Sequence, residues 1–156
     1  MIILGIDPGS RRMGYGVIVT RGQNATLLEA GLVPISGKDE AEILSSLYEG
    51  ISKIISFHKP DRVCVERLYF AKNQKTAIAV AQARGVALAA AGAAGVSVSE
   101  HSPNEVKSAT TGDGHADKKA VSKMVHLILH LPDTKLIDDA TDAVALALTG
   151  RGVLTR

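Results

Sequence analysis

The sequence predicts an α/β fold in which a mixed five-stranded sheet is flanked by helices. Three strand patterns lie within the first 33 residues and are joined by short turns, which is typical of an antiparallel meander. Beyond them, helical and strand patterns alternate, which is typical of parallel strands joined by crossover helices. A chain of 156 residues is long enough for one core, so we expect a single domain over residues 1–156.

The meander begins with an apolar run over residues 1–6, which Asp7 and a Pro-Gly turn bring to an end. Apolar and β-branched residues predict the second strand over 14–20 and the third over 25–33, with turn-like residues between them.

The first crossover is a helix over 39–57, because five large apolar residues recur there at helical spacing and charged residues occupy the other face. These apolar residues are Ile43, Leu47, Ile51, Ile54 and Ile55. Residues 58–61 stop the helix, and 62–66 form a fourth strand that we expect to lie parallel to its neighbour. Cys64 lies inside this strand pattern and is expected to be a small core residue.

The second half of the chain repeats the alternation. The Ala-rich segment 74–94 predicts a helix that can approach another helix closely, which favours either burial or a contact between two copies of the chain. A fifth strand is predicted over 96–100. Ser102 followed by Pro103 and Glu105 is typical of a helix start, and another helix begins at Asp117 and runs as far as Leu131. The last helix is predicted over 138–149.

Composition and charge narrow the class of protein. Of the residues, 46% are apolar, but only five are Phe or Tyr and none is Trp, so the core must consist of small aliphatic side chains. We find no basic leader and no apolar run of membrane-spanning length, so we expect a cytoplasmic protein without membrane contact.

The net charge is only +2, but residues 67–123 carry eight Lys or Arg against four acids. That distribution favours polyanion binding, although scattered surface charge would also explain it.

Two predicted strands end in a carboxylate. Asp7 ends the first and Glu66 ends the fourth; if these strands are parallel neighbours, both side chains reach the same edge of the sheet. A buried carboxylate is costly unless it is paired or bound to a cation. The alternative is that Asp7 only caps the amides of an Asp-Pro-Gly turn.

The last helix adds further acids. Asp139 and Asp142 are three residues apart and Asp138 and Asp142 four apart, so either pair shares one helix face. The alternative is that these acids only interact favourably with the positive end of the helix dipole, with Asp138 as the N-cap. Asp142 fits that alternative less well, because it borders an almost wholly apolar segment.

Four such carboxylates in one place would bind hard divalent cations, so we expect Mg²⁺ or, as a substitute, Mn²⁺. Two such ions about 4 Å apart can activate water and support the leaving oxygen of a phosphodiester. The expected reaction is metal-dependent hydrolysis of a nucleic acid. Lys107 or Lys118 could stabilise phosphate charge, and Lys118 and Lys119 lie at a helix start that favours a phosphate.

The segment 67–73 places two adjacent aromatic residues, Tyr69 and Phe70, between Arg67 and Lys72. Exposed rings among cations can stack on unpaired bases, and the alternative is that one ring packs inward. Tyr69, Phe70 and Lys72, together with Lys107, Lys118 and Lys119, are the candidate DNA contacts.

Several stretches, in this order along the chain, resemble the bacterial RuvC Holliday-junction resolvases. They are Ile3-Leu4-Gly5-Ile6-Asp7-Pro8-Gly9-Ser10, Gly14-Tyr15-Gly16, Glu66, Ala71-Lys72-Asn73, Gln82-Ala83-Arg84-Gly85-Val86 and Asp139-Ala140-Thr141-Asp142-Ala143. The resemblance implies a ribonuclease-H-like fold and a homodimer that makes two symmetric nicks across a four-way DNA junction, leaving 5′-phosphate and 3′-hydroxyl ends. It also implies work beside the RuvA and RuvB branch-migration proteins.

By this resemblance the metal-binding catalytic carboxylates are Asp7, Glu66, Asp139 and Asp142, with two Mg²⁺ per site. Asp139 is preferred to Asp138 because its spacing from Asp142 matches the family's pattern. Lys107 and Lys118 would support them, and either Tyr69 or Phe70 would stack at the opened junction.

Three other functions compete with this prediction. A nucleotide-binding protein of the actin and sugar-kinase type would need a second domain and further glycine-rich loops. A RuvC-like ribosomal-RNA-processing nuclease shares the first strand and the fold. A junction-binding module without catalysis is disfavoured because all four acidic positions are filled.

Overall fold

The computed structural model describes residues 1–9, 11–67, 74–132 and 136–152. In chain order, its elements are β1 (Ile2–Pro8), β2 (Met13–Arg21), β3 (Asn24–Leu32), α1 (Glu40–His58), β4 (Arg62–Glu66), α2 (Gln74–Ala93), β5 (Ser97–His101), α3 (Pro103–Thr111), α4 (Lys118–Ile128) and α5 (Asp138–Thr149).

The five strands form one mixed sheet in the order β3-β2-β1-β4-β5. The first three strands pair antiparallel, whereas β4 pairs parallel with β1 on one side and with β5 on the other. The predicted α/β sheet, with its meander and its parallel strands, is therefore confirmed. The crossover through α1 makes β4 parallel to β1, because a strand that follows a helical crossover runs in the direction of the strand before it.

Both faces of the sheet are covered, since successive side chains of a strand point to opposite faces. On one face Leu4 and Ile6 of β1 pack in a cluster with residues of α1 and α2. On the other face Ile3 packs with residues of α4 and α5, and Cys64 is fully buried in this second cluster. The prediction that Cys64 is a core residue is confirmed.

The helix α5 lies directly on the sheet because β1 and β2 present glycines to it. A Cβ atom on Gly5 would lie 2.7 Å from the amide nitrogen of Ala147, and one on Gly16 would lie 2.9 Å from the Cα of Val144. Nonbonded atoms do not approach so closely, so any side chain here would force the helix away from the sheet. These glycines therefore set the height of α5 above the strands.

Several predicted boundaries shift by one or more residues, whereas the predicted span of the last helix, 138–149, is confirmed. β5 begins one residue later than expected, at Ser97, and α4 ends at Ile128 rather than continuing to Leu131. The N-cap of α5 is Ile137, not Asp138, because the carbonyl of Ile137 accepts the bond from the Thr141 amide. Asp138 instead lies in the first helical turn, where its charge favours the positive end of the helix dipole.

A stretch of α2, Thr76–Ala93, is long and apolar enough to cross a membrane by length and composition. The expectation that no run reaches this length is therefore wrong, because many alanines give high hydropathy without large side chains. Only 22% of the stretch is buried. The helix also packs against α1 and the sheet and carries Arg84, whose guanidinium bonds to residues of β4 and β5. These contacts favour packing of the apolar surface of α2 against protein over a membrane span.

Candidate active site

Asp7 and Glu66 lie at the same edge of the sheet. The parallel pairing of β1 with β4 matches Ile6 with Val65, so the next residue of each strand is a carboxylate at the carboxyl end of that strand. Ligands of open α/β sheets bind at this edge, where strand ends leave backbone and side chains free. The predicted meeting of the two strand ends is thus present in the fold.

The helix α5 brings its acids to this edge. Asp7 is the cross-strand partner of Gly14, and a Cβ atom on Gly14 would overlap the carbonyl group of Asp139. The first turn of α5 therefore rests on the strand position opposite Asp7. One turn further along, Asp142 faces the same cleft as Asp7 and Glu66.

The cleft has a volume of about 250 Å³ and lies between the sheet edge and α3, α4 and α5. Its charged lining consists of Asp7, Glu66, Asp142, Lys107 and Lys118, and its remaining lining is largely aliphatic. A larger open groove of about 510 Å³ lies between α1 and α2, but no carboxylate lines it. Of these two, only the smaller cleft has a charged lining suited to act on a phosphodiester.

The carboxylates of the cleft interact strongly. Burial, followed by repulsion from Asp142, Glu66 and Asp139, raises the pKa of Asp7 to about 7, while Lys118 opposes the shift. Burial also raises the pKa of Glu66, with repulsion from Asp142 as the second cause. Negative charge is thus concentrated beyond what the protein's own cations neutralise, and a bound cation would relieve it.

Two protein cations contact the acids of α5. The Nζ of Lys118 donates to Oδ2 of Asp142 at 2.8 Å, and this hydrogen bond raises the pKa of the lysine. The Nε of Arg12 lies 3.1 Å from Oδ2 of Asp139, an ion pair without hydrogen-bond geometry. Oδ2 of Asp139 is consequently a buried carboxylate oxygen that has no hydrogen-bond partner. Such an oxygen is costly unless a cation binds it.

Within the described ranges of the chain, no three His, Cys, Asp or Glu side chains form a ready-made metal-ligand group. The ion pairs just described hold Asp142 and Asp139 towards Lys118 and Arg12. The donor set nevertheless fits a hard divalent cation: it consists of carboxylate oxygens, one of them buried and without a hydrogen-bond partner, and its charges repel one another.

The structure brings together some, not all, of the predicted site residues. Lys107 and Lys118 line the cleft, whereas Lys119 is exposed and absent from its lining. Asp138 is exposed, and its charge acts on Lys118; the charge of Asp139 acts on Asp7. That difference favours Asp139 as the first helical acid. The candidates Tyr69, Phe70 and Lys72 lie outside the described residues.

Sequence reasoning missed two arginines near the acids. Arg12 follows the Asp-Pro-Gly turn and reaches Asp139, and the only signal in the sequence was the pair Arg11-Arg12 after that turn. Arg84 occurs in a stretch that carries the family resemblance, but no role was assigned to it. Its Nε donates to the main-chain carbonyl of Glu66 at 3.2 Å.

Comparisons with known proteins point to one family. The family model described as "Crossover junction endodeoxyribonuclease RuvC" matches residues 3–150. A protein of that name from Moorella thermoacetica is 44% identical over 149 residues, which cover 95% of this chain and 89% of the relative.

Two solved structures resemble the fold closely. The Thermus thermophilus RuvC structure has a TM-score of 0.87 and 35% identity, covering 96% of this chain and 92% of that one. T. thermophilus RuvC in complex with Holliday junction substrate has a TM-score of 0.88 and 36% identity at the same coverage. The sheet is accordingly that of a ribonuclease-H-like fold. With a family match over nearly its whole length, the chain belongs to the RuvC family of crossover junction endodeoxyribonucleases.

Proposed function

We propose that this chain resolves Holliday junctions as an endonuclease in DNA recombination and repair. The observation that carries the proposal is the cleft in which Asp7, Glu66 and Asp142 meet Lys107 and Lys118. Acids that repel one another beside two lysines fit a site that holds cations and a phosphodiester together. Family membership and the junction complex of the Thermus relative support the same substrate.

Enzymes of this family depend on a divalent metal. We assign the metal-binding role to Asp7, Glu66, Asp139 and Asp142, and we expect two Mg²⁺ per active site, with Mn²⁺ as a substitute. When bound, these ions supply Lewis-acid activation of water and stabilisation of the leaving oxygen. Carboxylates from β1, β4 and α5 would hold them, so the site depends on the packing of the helix on the sheet.

Lysines would stabilise the phosphate charge and contact the DNA. Lys118 neutralises Asp142 in the protein alone, and an ammonium released from that pair is close enough to the cleft to stabilise charge on the phosphate. Lys107 lines the cleft from α3, where it would contact the DNA backbone. Tyr69, Phe70, Lys72 and Lys119 are the further proposed DNA contacts.

We also propose a homodimer. Much of α2 is apolar but not buried, and Ile78 on it is 68% exposed. An exposed apolar helix face of this kind is typical of an interface. Two sites related by a dyad would match the approximate two-fold symmetry of a four-way junction and nick strands of like polarity. Residues 1–156 would act as one domain in the cytoplasm, beside RuvA and RuvB.

The experiment is cleavage of an end-labelled mobile four-way junction beside a linear duplex of the same sequence and a structured RNA, in Mg²⁺, Mn²⁺ or EDTA. The proposal predicts paired, ligatable nicks in the junction alone, which EDTA abolishes. Cleavage of the RNA instead would move the assignment to a processing nuclease. Junction binding without nicks in either metal would point to a non-catalytic module.

A further inference from the structure

Arg84 of α2 reaches the sheet edge that carries Glu66. Its Nε donates to the main-chain carbonyl of Glu66 at 3.2 Å, and its Nη2 pairs with the carboxylate of Glu100 on β5. The Arg84 side chain is only 18% exposed. A largely buried guanidinium with acceptors on two neighbouring strands holds the ends of β4 and β5 in a fixed relation to α2.

Strand pairing stops beside Glu66 on one side. The ladder between β1 and β4 ends at Ile6 and Val65, one residue earlier. On the other side β5 continues, because Glu66 is paired with His101 and the Arg67 amide donates to the carbonyl of His101 at 2.8 Å. A trans peptide directs its N–H and its C=O in opposite directions, so the Glu66 carbonyl faces away from β5. Arg84 supplies the donor there in place of a strand.

We infer that Arg84 is a positioning residue for Glu66, and that Glu100 keeps its guanidinium in place. By anchoring the last carbonyl of β4, Arg84 sets the direction in which the Glu66 carboxylate enters the cleft. The inference rests on the proposed function, since its consequence is an efficient metal-dependent cut. Misplacement of a catalytic group by about 1 Å can cost about 100-fold in rate, so this anchor matters although Arg84 does not line the cleft.

The test compares Arg84→Gln with a matched variant, Arg62→Gln. Arg62 lies at the opposite end of β4, and its Nη1 donates to the main-chain carbonyl of Gly150 at 2.8 Å. Each substitution removes a bond from an arginine to a main-chain carbonyl, but only the carbonyl bound by Arg84 belongs to Glu66. Arg84→Gln also removes the pair with Glu100, and Glu100→Gln tests that loss separately. The chain of residues 1–156 is measured for single-turnover junction cleavage, half-saturating Mg²⁺, junction affinity in Ca²⁺ and thermal midpoint.

We expect Arg84→Gln to slow cleavage by about tenfold or more and to raise half-saturating Mg²⁺ by about threefold or more, with junction affinity within about twofold of wild type. Both substitutions should lower the thermal midpoint, because each removes bonds that hold β4. Arg62→Gln should nevertheless cleave within about twofold of wild type. The inference is overturned if Arg84→Gln cleaves at the wild-type rate, if Arg62→Gln loses as much activity, or if junction affinity falls in step with the rate.

Two further variants keep the inference testable should Arg84→Gln fail to fold. Arg84→Lys keeps a positive charge for Glu100 but lacks the planar group that reaches both acceptors, and Glu100→Gln loosens the guanidinium. Both should slow cleavage less than Arg84→Gln and leave junction affinity unchanged; wild-type rates in both would contradict the role. Mn²⁺ binding measured by calorimetry without DNA gives a separate readout. It should weaken in the Arg84 variants even if wild type proves not to cut junctions, and equal affinity would overturn the inference.

Discussion

Gly14 supports Asp139: the Cα of Gly14 lies so close to the first turn of α5 that a Cβ atom there would overlap the carbonyl group of Asp139. Gly14 is also the cross-strand partner of Asp7. A carboxylate of the sheet and a carboxylate of the helix are thus held together through a residue that has no side chain. The distance between α5 and the sheet therefore determines how close Asp139 lies to Asp7.

Gly14→Ala should damage both activity and stability. The added methyl group must push the start of α5 outward, and overpacking of this kind costs about 1–3 kcal/mol in the free energy of unfolding. Displacement of Asp139 should slow junction cleavage by about 100-fold. Single-turnover cleavage and thermal unfolding measure the two effects.

Gly92→Ala is the control for this prediction, because a Cβ atom on Gly92 of α2 meets nothing within 4 Å. It should leave cleavage unchanged and leave stability equal or raise it by up to about 1 kcal/mol. Wild-type cleavage by Gly14→Ala would show that close packing at this point does not set the site.

The raised pKa of Asp7 predicts how stability depends on pH without metal. Because its folded pKa of about 7 lies above the usual aspartate pKa of 3.8, the protonated form favours folding. That contribution is fully present below pH 3.8 and is lost as the pH rises through 7. In EDTA, Asp7→Asn should therefore be more stable than wild type at pH 8, and the difference should shrink towards pH 4.

Thermal midpoints of wild type and Asp7→Asn from pH 4 to 8 measure this difference directly. Added Mg²⁺ should raise the midpoint of wild type at pH 8 and should raise that of Asp7→Asn much less, because the substitution removes a proposed ligand. A difference between the two proteins that does not vary with pH would contradict the origin assigned to the pKa shift.

Lys118→Gln should shift the pH dependence of cleavage as well as its rate. Lys118 lowers the pKa of Asp7, so its removal should raise that pKa and move the rising limb of the rate profile to higher pH. Loss of a cation beside the phosphate should also slow cleavage by about 100-fold. Lys123→Gln, an exposed position on the same helix, should behave as wild type. A lower rate with an unmoved profile would limit Lys118 to phosphate contact.

The sequence predicted the parts of this site that follow from local pattern. Asp7 and Glu66 each interrupt an apolar strand pattern at its end, and Asp142 borders the buried segment of α5. These signals are short in range, and the parallel crossover then determines which edge the strand ends share. The mixed sheet and the grouping of Asp7, Glu66 and Asp142 could therefore be predicted before the structure.

The contacts of Arg12 and Arg84 could not be predicted in this way. The ion pair of Arg12 with Asp139 depends on how closely α5 packs on the glycines of β1 and β2. That distance is a property of tertiary packing. The bond from Arg84 to Glu66 depends on the angle at which α2 crosses the sheet. No periodicity within a single segment encodes either relation.

The most direct measurement of the central claim compares Asp142→Asn with wild type for junction cleavage and junction binding. The substitution removes a proposed metal ligand and frees Lys118 from its ion pair, so cleavage in Mg²⁺ should fall below detection. Junction affinity should stay equal or become tighter, since the basic surface is kept. Cleavage by Asp142→Asn at a rate near that of wild type would contradict the claim that the acids of α5 and the sheet edge form one metal-dependent catalytic site.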